Sequence, residues 1–150
     1  MKKNYFKNYL DKFSNILIDY NEKDFLKIAA LIKDVKRNKK KIILVGNGGS
    51  AAMASHVSVD LTKACQIRAI NFNEADLITC FANDYGYENW VEKALYSYAD
   101  KKDLVICISS SGKSKNIING AKFAKKLGCK VITLTGFDRL NPLRKTGHIN

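Results

Sequence analysis

The sequence predicts an α/β domain in which a central parallel sheet carries helices on both faces and is entered through two N-terminal helices. Three observations carry this. From Lys41 onward, short apolar runs of strand length alternate with helical segments. Two of the strand-to-helix junctions are dense in glycine or serine, and the chain has one proline, Pro142, with no solenoid-length repeat or low-complexity segment. Alternating strands and helices close through right-handed crossovers, which build parallel sheets with helices on each side. At 150 residues and 46% hydrophobic, the chain can bury one core, so a single domain over 1–150 is expected. Residues 1–40 belong to the leading helices and 41–150 to the α/β core.

Taken in order, Tyr5 to Tyr20 place Tyr5, Phe6, Tyr9, Leu10, Phe13, Ile16, Leu17 and Tyr20 at helical spacing. So strong a stripe needs burial, on the chain's own sheet or on another subunit. Asn21 resets the chain, and Phe25, Ile28, Ala29, Ile32 and Val35 continue as a second helix. Strands are predicted over Ile42–Val45, Arg68–Phe72, Leu104–Ile108 and Val131–Leu134. Helices are predicted over Ser50–Ala64, Glu74–Ala82, Tyr87–Tyr98 and Ser114–Leu127, with Asn73 as a cap and Gly128 as a C-terminal stop. After Thr146-Gly147 the alternation calls for a further strand and closing helix, and His148 reads as the start of that strand.

Composition narrows the function classes. There is no apolar run of membrane-spanning length, and Met1-Lys2-Lys3-Asn4-Tyr5-Phe6 opens polar, amphipathic sequence rather than a signal core, so a cytoplasmic protein without a membrane partner is expected. Cys65, Cys80, Cys107 and Cys129 form no C-x-x-C pair and read as reduced, buried thiols. The net charge of +12 favours anionic partners as a class. Its densest run, Lys36-Arg37-Asn38-Lys39-Lys40-Lys41, falls where a helix ends and complements the helix dipole. No helix-turn-helix or aromatic-interleaved basic stretch accompanies it, so nucleic acid is not the expected partner.

The chemistry gathers in two loops. Ile42–Val45 runs into Gly46-Asn47-Gly48-Gly49-Ser50 and then a helix, an arrangement that points free backbone N–H groups and a helix dipole at an approaching anion. With Ala51 it also fits a loose G-x-G-x-x-A dinucleotide fingerprint, and it is not a Walker A loop. Leu104–Ile108 leads into Ser109-Ser110-Ser111-Gly112-Lys113-Ser114 and another helix. Hydroxyls and amides there can surround a phosphate, or the serines can merely cap a helix and fill a turn. A dinucleotide would not need this second loop, so no nucleotide cofactor is expected. His56 and Asp60 stand four apart on the helix launched by the first loop and share a face. Histidine and carboxylate are apt zinc ligands, or a surface hydrogen-bonded pair.

Gly46-Asn47-Gly48-Gly49-Ser50, Asn83-Asp84-Tyr85-Gly86-Tyr87, Ser109-Ser110-Ser111-Gly112-Lys113-Ser114 and Val131-Ile132-Thr133-Leu134-Thr135-Gly136 together resemble the sugar isomerase (SIS) fold, specifically the phosphoheptose isomerases. The resemblance runs nearly the whole chain in order. It implies a three-layer αβα sandwich of flavodoxin-like or Rossmann-like type and conversion of sedoheptulose 7-phosphate to D-glycero-D-manno-heptose 7-phosphate for surface polysaccharide. It further implies a homo-oligomer, tetramer or dimer, and zinc at one ion per subunit. Site residues follow by position: Asn47, Gly48, Gly49, Ser50, Asp60, Asn83, Asp84, Ser109, Ser110, Ser111 and Ser114 for substrate, with His56 and Asp60 for metal and Asp60 as catalytic base.

The chain departs from that pattern in places. Asp60 stands where glutamate is usual, and Val59 precedes it in place of a second acid. Lys113 replaces a common asparagine, and the C-terminal helix that carries the family's other histidine and a glutamine has no counterpart up to Asn150. A shorter acid shifts its oxygens by about 1 Å, enough for on the order of a hundredfold in rate unless the backbone compensates. The competing reading is a non-catalytic SIS module, a sugar-phosphate sensor or a DnaA-initiator-associating protein-binding type.

Overall fold

A computed structural model describes residues 4–150, so the lead-in Met1–Lys3 lies outside the described residues. The two leading helices are α1, Tyr5–Ile18, and α2, Glu22–Arg37. They part at Asn21, whose side-chain oxygen accepts the Lys23 N–H at 3.1 Å and caps α2. Glu22 and Asp24 in the first turn of α2, and Lys36 and Arg37 in the last, each match the sign the dipole favours. Lys36 donates to the Cys65 carbonyl at 2.8 Å, so the basic run acts in part as a helix-end tie. Val35, with Ile28, Leu31 and Ile32, seats α2 on the sheet. No residue of α1 is buried.

Beyond them the order is β1 Ile42–Gly46, α3 Gly49–Lys63, β2 Ala69–Asn71, α4 Ala75–Tyr85, α5 Trp90–Tyr98, β3 Leu104–Ser109, α6 Lys115–Leu127 and β4 Lys130–Thr135. The strands form one parallel sheet in the order β2-β1-β3-β4, with Ile42 opposite both Ala69 and Leu104, and Leu104 opposite Lys130. Side-chain alternation divides the core in two. Ile43, Val45, Val105, Cys107 and Val131 meet Trp90, Val91, Leu95, Ile117 and Ala121 from α5 and α6, while Ile42, Leu44, Leu104, Ile106 and Ile132 meet α2 and α3. Both faces are covered, as the near-continuous apolar strands require. At the end of the sheet where the strands begin, Asp103 is fully buried. It accepts the Lys41 backbone N–H at 3.1 Å and faces the Lys41 ammonium at 2.7 Å, which joins the loops that lead into β1 and β3.

Several local expectations need correction. Asn73 does not cap α4, whose N-cap is Glu74. It instead donates to the Ala51 carbonyl at 2.8 Å and to Ser55 Oγ at 2.7 Å, a tertiary tie that sequence propensity cannot show. Helix α4 runs through Asn83 and Asp84, so these lie in its last turn rather than in a turn between helices. Gly86, with φ 82°, makes the break, and α5 starts at Trp90 rather than Tyr87. Strand β2 keeps three residues of the five expected, because only Ala69–Asn71 pair with β1. Of the cysteines, Cys107 and Cys129 are buried and all four are free, but Cys65 and Cys80 are exposed. Burial pushes the Cys107 thiol up to about 12, so it is inert packing. Gly128 does end α6, in the left-handed conformation.

Candidate functional site

The strand order itself marks a place for a ligand. Beside β1 the chain passes outward to β2 on one side and returns to β3 on the other, so the crevice at the carboxyl ends of β1 and β3 is a topological switch point. The loops that open there are Gly46–Ser50 and Ser109–Ser114. Asn47, Ser50, Ser109, Ser110, Ser111 and Ser114 line one cavity of 150 Å³, with Ile108 as its floor and Phe137 at its rim. That is room for several water-sized groups, or for a phosphoryl group in their place.

Each loop holds its form for a local reason. Gly46 packs so closely on α3 that a Cβ would stand 2.7 Å from the Ser50 carbonyl carbon. Gly48 has φ 54° and is the N-cap of α3 without a side-chain cap, and the loop closes on the helix start through Ser50 N–H to the Asn47 carbonyl at 3.0 Å and Ala51 N–H to the Gly48 carbonyl at 2.9 Å. In the serine loop, Gly112 at φ 61° donates its N–H to the Ser109 carbonyl at 3.0 Å. The loop is braced from outside by the segment after β4. Gly136 N–H donates to the Ser110 carbonyl at 2.9 Å, and Leu143 N–H to the Gly112 carbonyl at 3.1 Å. Buried Asn141 packs against Gly112 and holds its own segment by donating to Thr135 Oγ1 at 3.0 Å.

Ser114 bears on whether these serines are merely caps. It is the N-cap residue of α6, yet its hydroxyl makes no capping bond to the helix. It lies 3.4 Å from Ser109 Oγ and lines the cavity. Ser111 does serve the turn, accepting the Lys113 N–H at 3.2 Å. Lys113 is exposed and does not line the cavity.

Other expected site residues stand apart. Asn83 and Asp84 are exposed at the end of α4, with Asn83 Nδ2 donating to Asp84 Oδ1 at 2.9 Å. His56 Nε2 and Asp60 Oδ2 are 3.5 Å apart on α3, with side chains 80% and 64% exposed. Asp60 follows Gly49 by eleven residues, so it lies ~16 Å along the helix from the loop. The pair offers two of the four ligands that zinc takes. Among the described residues no third histidine, cysteine or acid joins them, so the pair does not fit a complete zinc site and no step is assigned through one. His148 sits at the far edge of the sheet, where its Nδ1 accepts the Val131 N–H at 3.0 Å and Ile149 bridges Ile132 in parallel, as the start of a next strand would.

Asn116, Asn141 and Phe137 were not singled out by motif. Asn116 could have been suspected as an amide on the apolar face of α6; Asn141 and Phe137 reach the loop only through tertiary folding.

Comparison with known proteins agrees with this geometry. The family model described as the SIS domain matches residues 4–136. A phosphoheptose isomerase of Aliarcobacter butzleri is 37% identical over 128 residues, covering 81% of this chain and 68% of that protein. One from Glaesserella parasuis is 35% identical over 139 residues, covering 86% and 72%. Among solved structures, the phosphoheptose isomerase of Neisseria gonorrhoeae superposes with a TM-score of 0.84 at 28% identity, covering 95% of this chain and 79% of that one. That of Francisella tularensis gives 0.85 at 25%, covering 97% and 77%. The chain belongs to the SIS-domain family of phosphoheptose isomerases.

Proposed function

We propose that the chain converts sedoheptulose 7-phosphate to D-glycero-D-manno-heptose 7-phosphate in the cytoplasm, on the way to activated heptose for surface polysaccharide. One observation carries the reading: the polar residues of both loops line a single cavity at the switch point of the sheet. Ser109, Ser110, Ser111 and Ser114 take the phosphate with their hydroxyls and the N–H groups around them. Asn47, with Gly48, Gly49 and Ser50, meets the sugar body, and Asn83 and Asp84 read hydroxyls farther along the chain.

The reaction moves a proton between adjacent carbons. A base removes it from C1 of the ketose to give an enediolate and returns it to C2, while the hydroxyl proton passes from O1 to O2. Asp60 is the base in this reading. Its distance along α3 from the loop supports a site completed by a second copy of the chain, as does the uncovered apolar stripe of α1. The zinc that the family resemblance implies would use His56 and Asp60 and needs further ligands from outside this arrangement.

The test is turnover of sedoheptulose 7-phosphate followed by NMR, with and without a chelator. Asp60→Asn should lower kcat by at least about a hundredfold. Because Asp60 is exposed, the same change should leave thermal stability and phosphate affinity unaltered. No turnover by the unaltered chain on this and related sugar phosphates would sink the proposal. Asp60→Asn at full activity would remove Asp60 as the base.

A further inference from the structure

Helix α6 carries an amide where its other inward residues are apolar. Asn116 is 2% exposed and lies two residues after Ser114, in the first turn of the helix, beside buried Ile117. A buried carboxamide is costly unless its polar atoms are bonded. Among the described residues those of Asn116 are bonded to one residue alone. Asn116 Nδ2 donates to Asn47 Oδ1 at 2.9 Å, and Asn47 Nδ2 donates back to Asn116 Oδ1 at 3.0 Å. Tyr87, from the turn before α5, adds its hydroxyl to Asn47 Oδ1 at 3.5 Å.

This closed pair has two consequences. It joins the glycine loop to the helix that the serine loop launches, so the two halves of the cavity keep a constant spacing. It also fixes which way the Asn47 amide faces. With Oδ1 held by Asn116 and Tyr87, and one N–H spent on Asn116, the second N–H of Asn47 is left for the cavity that the residue lines. We propose that Asn116 is a positioning residue that orients Asn47 as a hydrogen-bond donor to a sugar hydroxyl and sets the distance between the sugar-binding and phosphate-binding loops. The inference rests on the reading of Asn47 as a sugar contact.

The experiment measures dissociation constants by calorimetry for sedoheptulose 7-phosphate and for inorganic phosphate, in the unaltered chain, Asn116→Ala, Asn47→Ala and the double variant. Asn116→Ala should weaken the sugar phosphate about tenfold, the worth of one well-made hydrogen bond, and leave inorganic phosphate within about twofold. In the Asn47→Ala background, Asn116→Ala should add nothing, because its effect passes through Asn47. The nearly isosteric Asn116→Asp, which sets a carboxylate oxygen against Asn47 Oδ1, should reproduce the selective loss and carries the test where the alanine variant fails to fold. Equal weakening of both ligands, additive losses in the double variant, or an unchanged sugar-phosphate constant would overturn the inference. So would an unaltered chain that holds the sugar phosphate no more tightly than phosphate. Absence of turnover counts against the isomerase reading alone, since this test reads binding only.

Discussion

At the scale of single residues, the serine loop rests on a glycine whose replacement its neighbours forbid. Gly112 has φ 61°, and a Cβ there would overlap the Asn141 side chain. Asn141 cannot easily yield, because it donates to Thr135 Oγ1 and the Asp138 carbonyl and accepts the Arg144 N–H at 2.8 Å. Gly112→Ala should therefore cost about 2 kcal/mol of stability, from left-handed strain and displaced packing together. It should also weaken inorganic phosphate severalfold by shifting the Ser111 and Ser114 hydroxyls. A thermal melt and a phosphate titration read the two effects, and an alanine variant with native melting and native affinity would contradict the account. The serine loop stood out in the sequence because four serines in six positions follow a buried strand, and the structure brings those serines to one cavity with Asn47 and Ser50. Asn141 was not legible, since a residue that touches the site only through a loop from β4 leaves no local pattern.

Elements were legible where one period ran long enough. The four strands were found because buried parallel strands are short apolar runs, and α6 because Gly128 ends it with a conformation other residues rarely adopt. Boundaries failed where tertiary bonds decide them: Asn73 looks like a cap and is a tie to α3, and α4 continues through a sequence that reads as a turn. The segment after β4 adds a titratable tie. His148 has its pKa below the ordinary value of 6.5, because of partial desolvation and then the nearby Lys125 and Lys130. The neutral ring is the form whose Nδ1 can accept the Val131 N–H. A depressed folded-state value means that the unfolded chain takes up the proton first, so this contribution is complete above about pH 6.5 and is lost as pH falls through the folded value. Lowering the pH from about 7.5 to 5.5 should reduce the protection of the Val131 and Thr133 amides, measured as exchange relative to the unstructured rate at each pH, because their N–H groups bond this segment. His148→Ala should remove the pH dependence of protection at Val131. Protection factors that are flat with pH in the unaltered chain would show that the histidine is not the acceptor in solution.

For the whole molecule, the strand order explains why two loops far apart in sequence share one cavity, and α1 presents an apolar stripe that one copy of the chain leaves uncovered. Along a helix of fourteen residues, Tyr5, Phe6, Tyr9, Leu10, Phe13, Ile16 and Leu17 are all more than half exposed. A contiguous stripe of that length, about 20 Å, exceeds what a monomer leaves in water. The sequence announced the stripe and left its partner open between sheet and subunit. The sheet is excluded, because its faces are already taken by α2 and α3 on one side and by α4, α5 and α6 on the other. Copies of the same chain remain the simplest cover, since equivalent stripes bury each other under rotational symmetry. The chain should therefore scatter light as a dimer or tetramer at micromolar concentration, and Leu10→Asp with Phe13→Asp should release monomers. The site itself predicts how function divides on release. If the serine loop takes the phosphate as proposed, phosphate affinity should persist, because that loop and the segment that braces it belong to one copy. If Asp60, about 16 Å along α3 from that loop, is the base and a second copy completes the site, isomerisation should fall by at least about a hundredfold when that copy departs. Monomers that keep full turnover would show that Asp60 reaches the substrate within its own chain or is not the base, and the Asp60→Asn variant separates those two outcomes.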